Sequence, residues 1–264
     1  MRSLFVMAAA FALAACGRRV DVAGGPSDAV RRDAIRSADQ LFAAMHDRYD
    51  DSWYRTLTFV QTSTYFRPDG STSRTETWYE AAAIPGRLRI DLGDPSRGNG
   101  ALYRNDSLYS VQGGRVVDRR QARNPLAILG FDVYRQPPAR TMEQLRAEGF
   151  DLSVLHMDSL DGKRAYVVGA GPTDSTSNQF WVEADRLLFV RLIQTDPQRN
   201  RTQDIRFERY VKRAGGWVAE EVRFLMGGRM FFHEAYSNVR VNVALPDDLF
   251  LPERWSTAPH WHKP

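Results

Sequence analysis

The sequence predicts a mainly β chain with helices, an α+β protein whose strands run antiparallel in one curled sheet of about 11 strands. Three observations carry that reading. From residue 55 onward apolar and polar residues alternate over short runs, the pattern of half-buried strands. Turn residues punctuate those runs, among them Asn105-Asp106, Gly113-Gly114, Asp161-Gly162, Gly215-Gly216 and Gly227-Gly228, and glycine pairs supply the positive φ of two-residue hairpin turns. Helical periodicity is confined to the N-terminal stretch and to a proline-bearing middle, 124–150.

Before the first helix lies a leader. Arg2 gives a short positive start, and the uncharged run 4–13 suits a signal-peptide core while being too short to span a bilayer. Cys16 is the only cysteine, so neither a disulfide nor a multi-thiolate metal site can form within the chain. Leu13-Ala14-Ala15-Cys16 resembles the lipobox of bacterial lipoproteins. That resemblance implies cleavage before Cys16, diacylglyceryl transfer to its nucleophilic sulfur, and acylation of the new amine by a fatty acid such as palmitate. Several acyl chains, at about 0.8 kcal/mol per buried CH2, make a stable membrane anchor. The competing reading is an ordinary secretory signal with a chance cysteine. In the lipoproteins it resembles, Asp after the cysteine retains the protein at the inner membrane; Gly17 stands here, which implies the periplasmic side of the outer membrane. Residues 1–15 are thus expected as signal peptide and 16–26 as lipidated cysteine and flexible tether.

A helix is expected next, capped by Ser27 or Asp28, with Val30, Ala34, Ile35, Ala38, Leu41, Phe42, Met45 and Tyr49 on one face and Arg31, Arg32, Arg36, Asp39 and Asp47 on the other. It reads as a helix laid on a sheet. Strands follow at 55–66 and 71–83 around Pro68-Asp69-Gly70, then at 86–92, 101–104, 107–111 and 115–119. The middle holds two helical patches, 125–131 and 140–148, the second capped by Thr141; together they form either a core plug or a lid. Strands resume at 152–157, 163–170, 178–184, 187–194, 202–212, 216–226 and 229–243, with Ala184-Asp185-Arg186 among the turns. Residues 245–252 read as a helical turn with Asp247 near its start, and 253–264 as a loosely held polar and aromatic tail.

This order of elements, with "NQFWVEADRLLFVRLIQ" (178–194) and "NVRVNVALPDDLFLP" (238–252), resembles the LolA/LolB-like superfamily of periplasmic lipoprotein carriers and acceptors. The resemblance covers 27–252 as one domain. It implies a half-open barrel, with the N-terminal and mid-chain helices covering the concave side. The lipobox departs from the soluble carriers and places the chain nearer the membrane-anchored acceptors.

Such a sheet need not fill its concave side, and a pocket of aliphatic and aromatic residues suits acyl chains. Alternation offers Leu57, Phe59, Leu88, Ile90, Phe180, Val182, Leu188, Val190, Val222 and Phe224 for that side, either as ligand contacts or as packed core. The expected function is a membrane-anchored lipoprotein binding or carrying a hydrophobic ligand, lipid or lipoprotein acyl chains. The alternative is an envelope interaction or sensor module with a protein partner and no ligand transport.

Composition and motifs exclude other classes. A hydrophobic fraction of 43% and an aromatic fraction of 11% are those of a globular chain. The net charge of +4 is spread among interspersed acids and bases, which argues against nucleic acid as partner and leaves a weak attraction to anionic headgroups. Only Lys163, Lys212 and Lys263 stand among 36 basic residues, a bias in keeping with a GC-rich genome. No enzyme activity, cofactor or metal is expected. His233-Glu234 lacks the second histidine of H-E-x-x-H, where Ser237 stands, and adjacent residues of a strand face opposite ways. The same parity rules out Glu220-Glu221 as a catalytic pair. His260 and His262 are too few for a metal site, His46 and His156 lie singly, and the six tryptophans read as packing residues. Neither a nucleophile elbow nor a nucleotide-binding loop occurs.

Overall fold

The structure, a computed structural model, describes residues 35–196, 198–199 and 201–262. The lipobox, the tether and the helix start expected at Ser27 or Asp28 lie outside the described residues. Among those described, the first helix, α1, is Ala38–Tyr49. Ser37 caps it by accepting the Gln40 N–H, and Ile35 and Arg36, which the expected helix includes, are not helical. Its buried face is Ala38, Leu41, Phe42, Met45 and Tyr49, the stripe the spacing predicts.

The sheet has thirteen strands, one for each of the thirteen segments that alternation and turns mark out, so the figure of about 11 is a slight undercount. One meander runs through β1 (Thr56–Phe66), β2 (Thr72–Ala83), β3 (Arg87–Leu92), β4 (Gly100–Arg104), β5 (Ser107–Gln112) and β6 (Arg115–Gln121). A second runs through β7 (Leu155–Leu160), β8 (Lys163–Val168), β9 (Gln179–Glu183), β10 (Leu188–Asp196), β11 (Arg201–Arg213), β12 (Gly216–Met226) and β13 (Arg229–Val241). Pairing of β1 with β13 joins them, so β6 and β7 are the two edges of an open antiparallel sheet. Positive φ at both Asn105 and Asp106, Gly113 and Gly114, Asp161 and Gly162, and Gly227 and Gly228 is what two-residue hairpin turns demand. One turn falls a residue earlier than expected: β11 and β12 are joined through Ala214-Gly215, and Gly216 is the first residue of β12. A Cβ on Gly216 would lie 2.9 Å from the Trp53 ring, so that glycine serves packing.

Between the edges the chain forms α2 (Pro125–Gly130), a 3₁₀ turn (Asp132–Tyr134) and α3 (Pro138–Ala147). Asn124 caps α2, whereas α3 begins at Pro138, so Thr141 is inside the helix and not its cap. Thr141 is buried there, its hydroxyl accepting from Gln136 Nε2 at 2.8 Å. Ile128, Leu129, Val133, Tyr134, Leu145 and Phe150 sit in the main hydrophobic cluster with α1 and strands of both meanders, so this segment is core plug, not lid.

The C-terminal segment straps the other face of β2–β5. A 3₁₀ turn (Asp247–Phe250) puts Leu249 and Phe250, with Trp255, against Ala81, Ala83, Leu102 and Val111. The tail expected to be loose is tied through residue 262. Trp255 is 3% exposed, His260 bonds Asp91, and the His262 ring lies 4.5 Å from Tyr79. The anchor is polar as well as apolar. Arg89 holds Asp91 in a two-pronged 2.8 Å pair, both side chains almost fully buried, and reaches the Trp255 carbonyl with its guanidinium 3.8 Å from the Trp255 ring. Gly100 makes room, since a Cβ there would lie 2.7 Å from that indole. Removing the cation strands a buried carboxylate. Arg89→Met should therefore cost about 3–5 kcal/mol in denaturant unfolding at pH 7, and should expose the tail to limited proteolysis; an unchanged midpoint would refute this anchor.

Candidate functional site

The concave face has two unlike halves. At the lower end, where β1 starts and β13 finishes, the helices fill it. Tyr49, Trp53, Tyr54 and Tyr134 form an aromatic plug, with Trp53 and Tyr134 stacked at 3.9 Å. Tyr134 Oη accepts the Phe189 N–H at 3.1 Å, and Tyr49 donates to the Arg186 carbonyl at 2.6 Å, fixing plug to sheet. Where α2 meets β2–β5 only a cavity of about 40 Å³ is left, room for a water and not for a chain. Asp132 on its wall accepts the Gly86 N–H at 3.0 Å, and burial pushes its carboxyl up to about 7.

Most of the residues proposed from alternation belong to this lower packing. Leu57, Phe59, Leu88, Phe180, Val182, Leu188 and Val222 are buried in the main cluster, and Ile90 and Phe224 pack against it half-buried. Val190 does not join them. A bulge between Phe189 and Arg191 in the β9–β10 ladder turns it to the other face, beside Ala165 and Trp181.

At the upper end the central strands outrun the helices. β1, β2, β11, β12 and β13 are 11 to 13 residues long, against 5 to 7 for β3 to β9. Their upper concave residues make an aromatic shelf: Phe232 lies 4.7 Å from Tyr65, 5.0 Å from Phe224 and 5.8 Å from Trp78. Below it Phe59 and Tyr236 stack at 4.2 Å. Tyr65, Trp78, Phe224 and Tyr236 are only half-buried, so the shelf meets solvent.

Set into this apolar wall are polar groups that the sequence reading passed over. Gln61 and Ser63 alternate with Phe59 and Tyr65 on β1, both buried, and Gln61 Nε2 donates to Ser63 Oγ at 2.8 Å. Glu80 on β2 is 7% exposed. Tyr236 donates its hydroxyl to Glu234 at 2.7 Å. Burial, then the Glu234 charge, drives the Glu80 carboxyl well above its ordinary range, and burial raises Glu234 to about 7 against the pull of Tyr236 and Gln61. Period-two alternation was the available signal, since Glu80, Gln61 and Ser63 occupy inward positions of strands correctly located.

The arrangement can seat an apolar body and offer it acceptors. Glu234 has Tyr236 as its partner, and no histidine bonds either carboxyl among the described residues. No cluster of three or more His, Cys, Asp or Glu is placed to hold a metal among the described residues. His260 is committed elsewhere: Nδ1 accepts the His262 N–H at 3.1 Å, leaving Nε2 as the donor to Asp91. No described helix is long and apolar enough to cross a membrane.

No protein-family model and no curated protein matches the chain. Solved structures do. A DUF1329 family protein from Desulfovibrio piger superposes with a TM-score of 0.55 at 18% identity, over 81% of this chain and 95% of its own. A LolA superfamily protein from Nitrosomonas europaea gives 0.51 at 14%, over 82% and 98%. A putative outer membrane lipoprotein-sorting protein domain from Vibrio parahaemolyticus gives 0.51 at 11%, over 83% and 97%. The open, curled antiparallel sheet with its helices is thus the LolA-like fold.

The raised carboxyls have a consequence for stability. Folded Glu234 keeps its proton up to about pH 7, whereas the unfolded chain releases it near 4.5, so folding takes up a proton in that window. The contribution is fully present below pH 4.5 and is lost as the pH rises through 7. The Glu80→Gln/Glu234→Gln double variant should melt higher than the parent at pH 8 and close to it at pH 4.5. Parallel melting curves across that range would show the carboxyls to be unperturbed.

Proposed function

We propose that the chain is an envelope lipoprotein, lipidated at Cys16 and anchored on the periplasmic side of the outer membrane, that binds a hydrophobic ligand on the upper concave face of its half-barrel. The aromatic shelf of Tyr65, Trp78 and Phe224 around buried Phe232 carries the reading, because apolar rings left half-buried on a concave surface favour an apolar occupant. The LolA-like fold supports it, and so does the likeness to a domain described as lipoprotein-sorting. Lipid or lipoprotein acyl chains fit, since they require area and few directed bonds. The site is the upper shelf more than the original set of ten, most of which is occupied in holding the sheet to its helices. The leader bounds and a domain starting at 27 belong to this proposal, while the end expected at 252 moves outward, since the tail packs on the sheet through 262. The role is binding without catalysis.

A second reading, a protein-binding envelope module, has one observation behind it. Edge strand β6 is exposed along its whole length, with Val116 at 41% and Val117 at 56%, and an unpaired edge can receive a partner strand. Its arginines weaken that case.

Native mass spectrometry of protein extracted from membranes should find bound lipid, and a neutral fluorescent naphthyl probe should compete with it. Phe224→Asp should lower probe affinity at least tenfold, while Val116→Asp on the edge should not change it. A lipid-free protein that binds no probe and copurifies with a stoichiometric protein partner would favour the second reading.

A further inference from the structure

We propose that the upper concave face selects a cationic amphiphile, a primary ammonium or guanidinium carried on an apolar body, whose head is received at Glu80, Gln61 and Glu234. This rests on the reading of that face as an apolar-ligand site and names the class of ligand.

The upper face holds unpaired acceptors. Gln61 is fully buried; its Nε2 is used by Ser63, and its Oε1 has no partner. Such an orphan acceptor is uncommon in a folded interior. Glu80 is more than nine-tenths buried, and the one charge acting on it is the like charge of Glu234. Strand register places the two carboxyls diagonally on either side of Gln61. Glu80 pairs across to Phe59, Gln61 to Tyr236, and Glu234 to Ser63. Gln61 Oε1 and Glu80 therefore want donors, while Glu234 takes the Tyr236 hydroxyl and is drawn on by the Gln61 amide as well.

Apart from Asp132, which has the Gly86 N–H instead of a cation, the chain pairs its other buried acids with arginines. Asp91 has Arg89, Glu183 has Arg186, Asp204 has Arg191 and Arg206, and Asp106 has Arg123 and Arg140. Among the described residues no arginine or lysine bonds Glu80 or Glu234. Buried carboxyls without a cation are costly, and a ligand that brings one relieves the cost. An ammonium offers three donors and a guanidinium five; an anion offers none and a neutral alcohol one. The surrounding rings suit the same charge, since aromatic faces attract cations. The wall already shows this: the Arg74 guanidinium sits 3.8 Å from the Tyr65 ring centre at the rim, paired with Glu76 at 2.9 Å.

Three ligands of one chain length separate the possibilities. n-Decylammonium, n-decanol and n-decanoate are titrated calorimetrically into the full-length protein at pH 8. Charge-assisted hydrogen bonds should make decylammonium bind at least tenfold more tightly than decanol, with decanoate weakest. In Glu80→Gln/Glu234→Gln the ratio of amine to alcohol should fall to within twofold, and Glu80→Gln alone should lie between. Equal affinities for amine and alcohol in the parent, or a preference that survives the double substitution, would overturn the proposal while leaving the apolar-ligand reading in place. Absence of binding by all three would remove both.

Discussion

The rest of the structure depends on one connection, the passage of the chain from β6 to β7. These strands are opposite edges of a thirteen-stranded sheet, yet they are consecutive in sequence. Laid flat, twelve inter-strand spacings would hold the edges about 58 Å apart. The two helices in between, of six and ten residues, span only about 9 and 15 Å. Side chains of α2, α3 and the turn between them pack on both meanders, so the connection crosses the concave side. The sheet must curl to allow that, and the bulges in β2, β6, β10 and β13 supply local bending and twist.

The same connection divides the concave face into two regimes. Three short helices can cover only as much sheet as they are long. Over β8 to β10 they suffice, and Phe42, Phe150 and Phe180 pack ring against ring. Over the five long strands they do not, and the excess becomes an aromatic shelf. Packing at the lower end then has to be rigid, since it alone holds sheet to helices. That explains why most positions first offered as ligand contacts, such as Leu57 and Val182, are fully buried core. On the opposite face the strap through Arg89, Asp91 and Trp255 braces β2 to β5, keeping the wall that carries Glu80 from flattening.

Much of the fold was legible because it rests on local signals. Glycine pairs located hairpins, period two located strands, and the α1 stripe gave its buried face. What escaped depends on tertiary partners. The tail looks loose because its residues are polar and aromatic; it is tied because Asp91, on a distant strand, stands opposite His260. Thr141 resembles a cap, but Pro138 can start the helix one turn earlier. Val190 alternates correctly with Leu188, and only an unpredictable bulge reverses it. The shelf was the least visible part, because a strand reveals which residues share a face and not which portion of that face a helix will cover.

Parity accounts for the most consequential of these misses. In the β1–β13 ladder Leu57 faces Val241 and Gln61 faces Tyr236, so β13 carries one residue more than β1 over that interval. Asn238, with φ of 52°, absorbs it. Asparagine tolerates that left-handed conformation better than other residues with a side chain. Below the bulge Val239 and Val241 point into the concave face; above it Glu234 and Tyr236 do. A strand of unbroken alternation that buried Val239 and Val241 would instead turn His233, Ala235 and Ser237 inward, and the acceptors would face solvent. The placement of Glu234 beside Gln61 therefore follows from one irregular residue. It also explains why a strict period-two reading of "FFHEAYSNVRV" could say that His233 and Glu234 face opposite ways without saying which of them faces in.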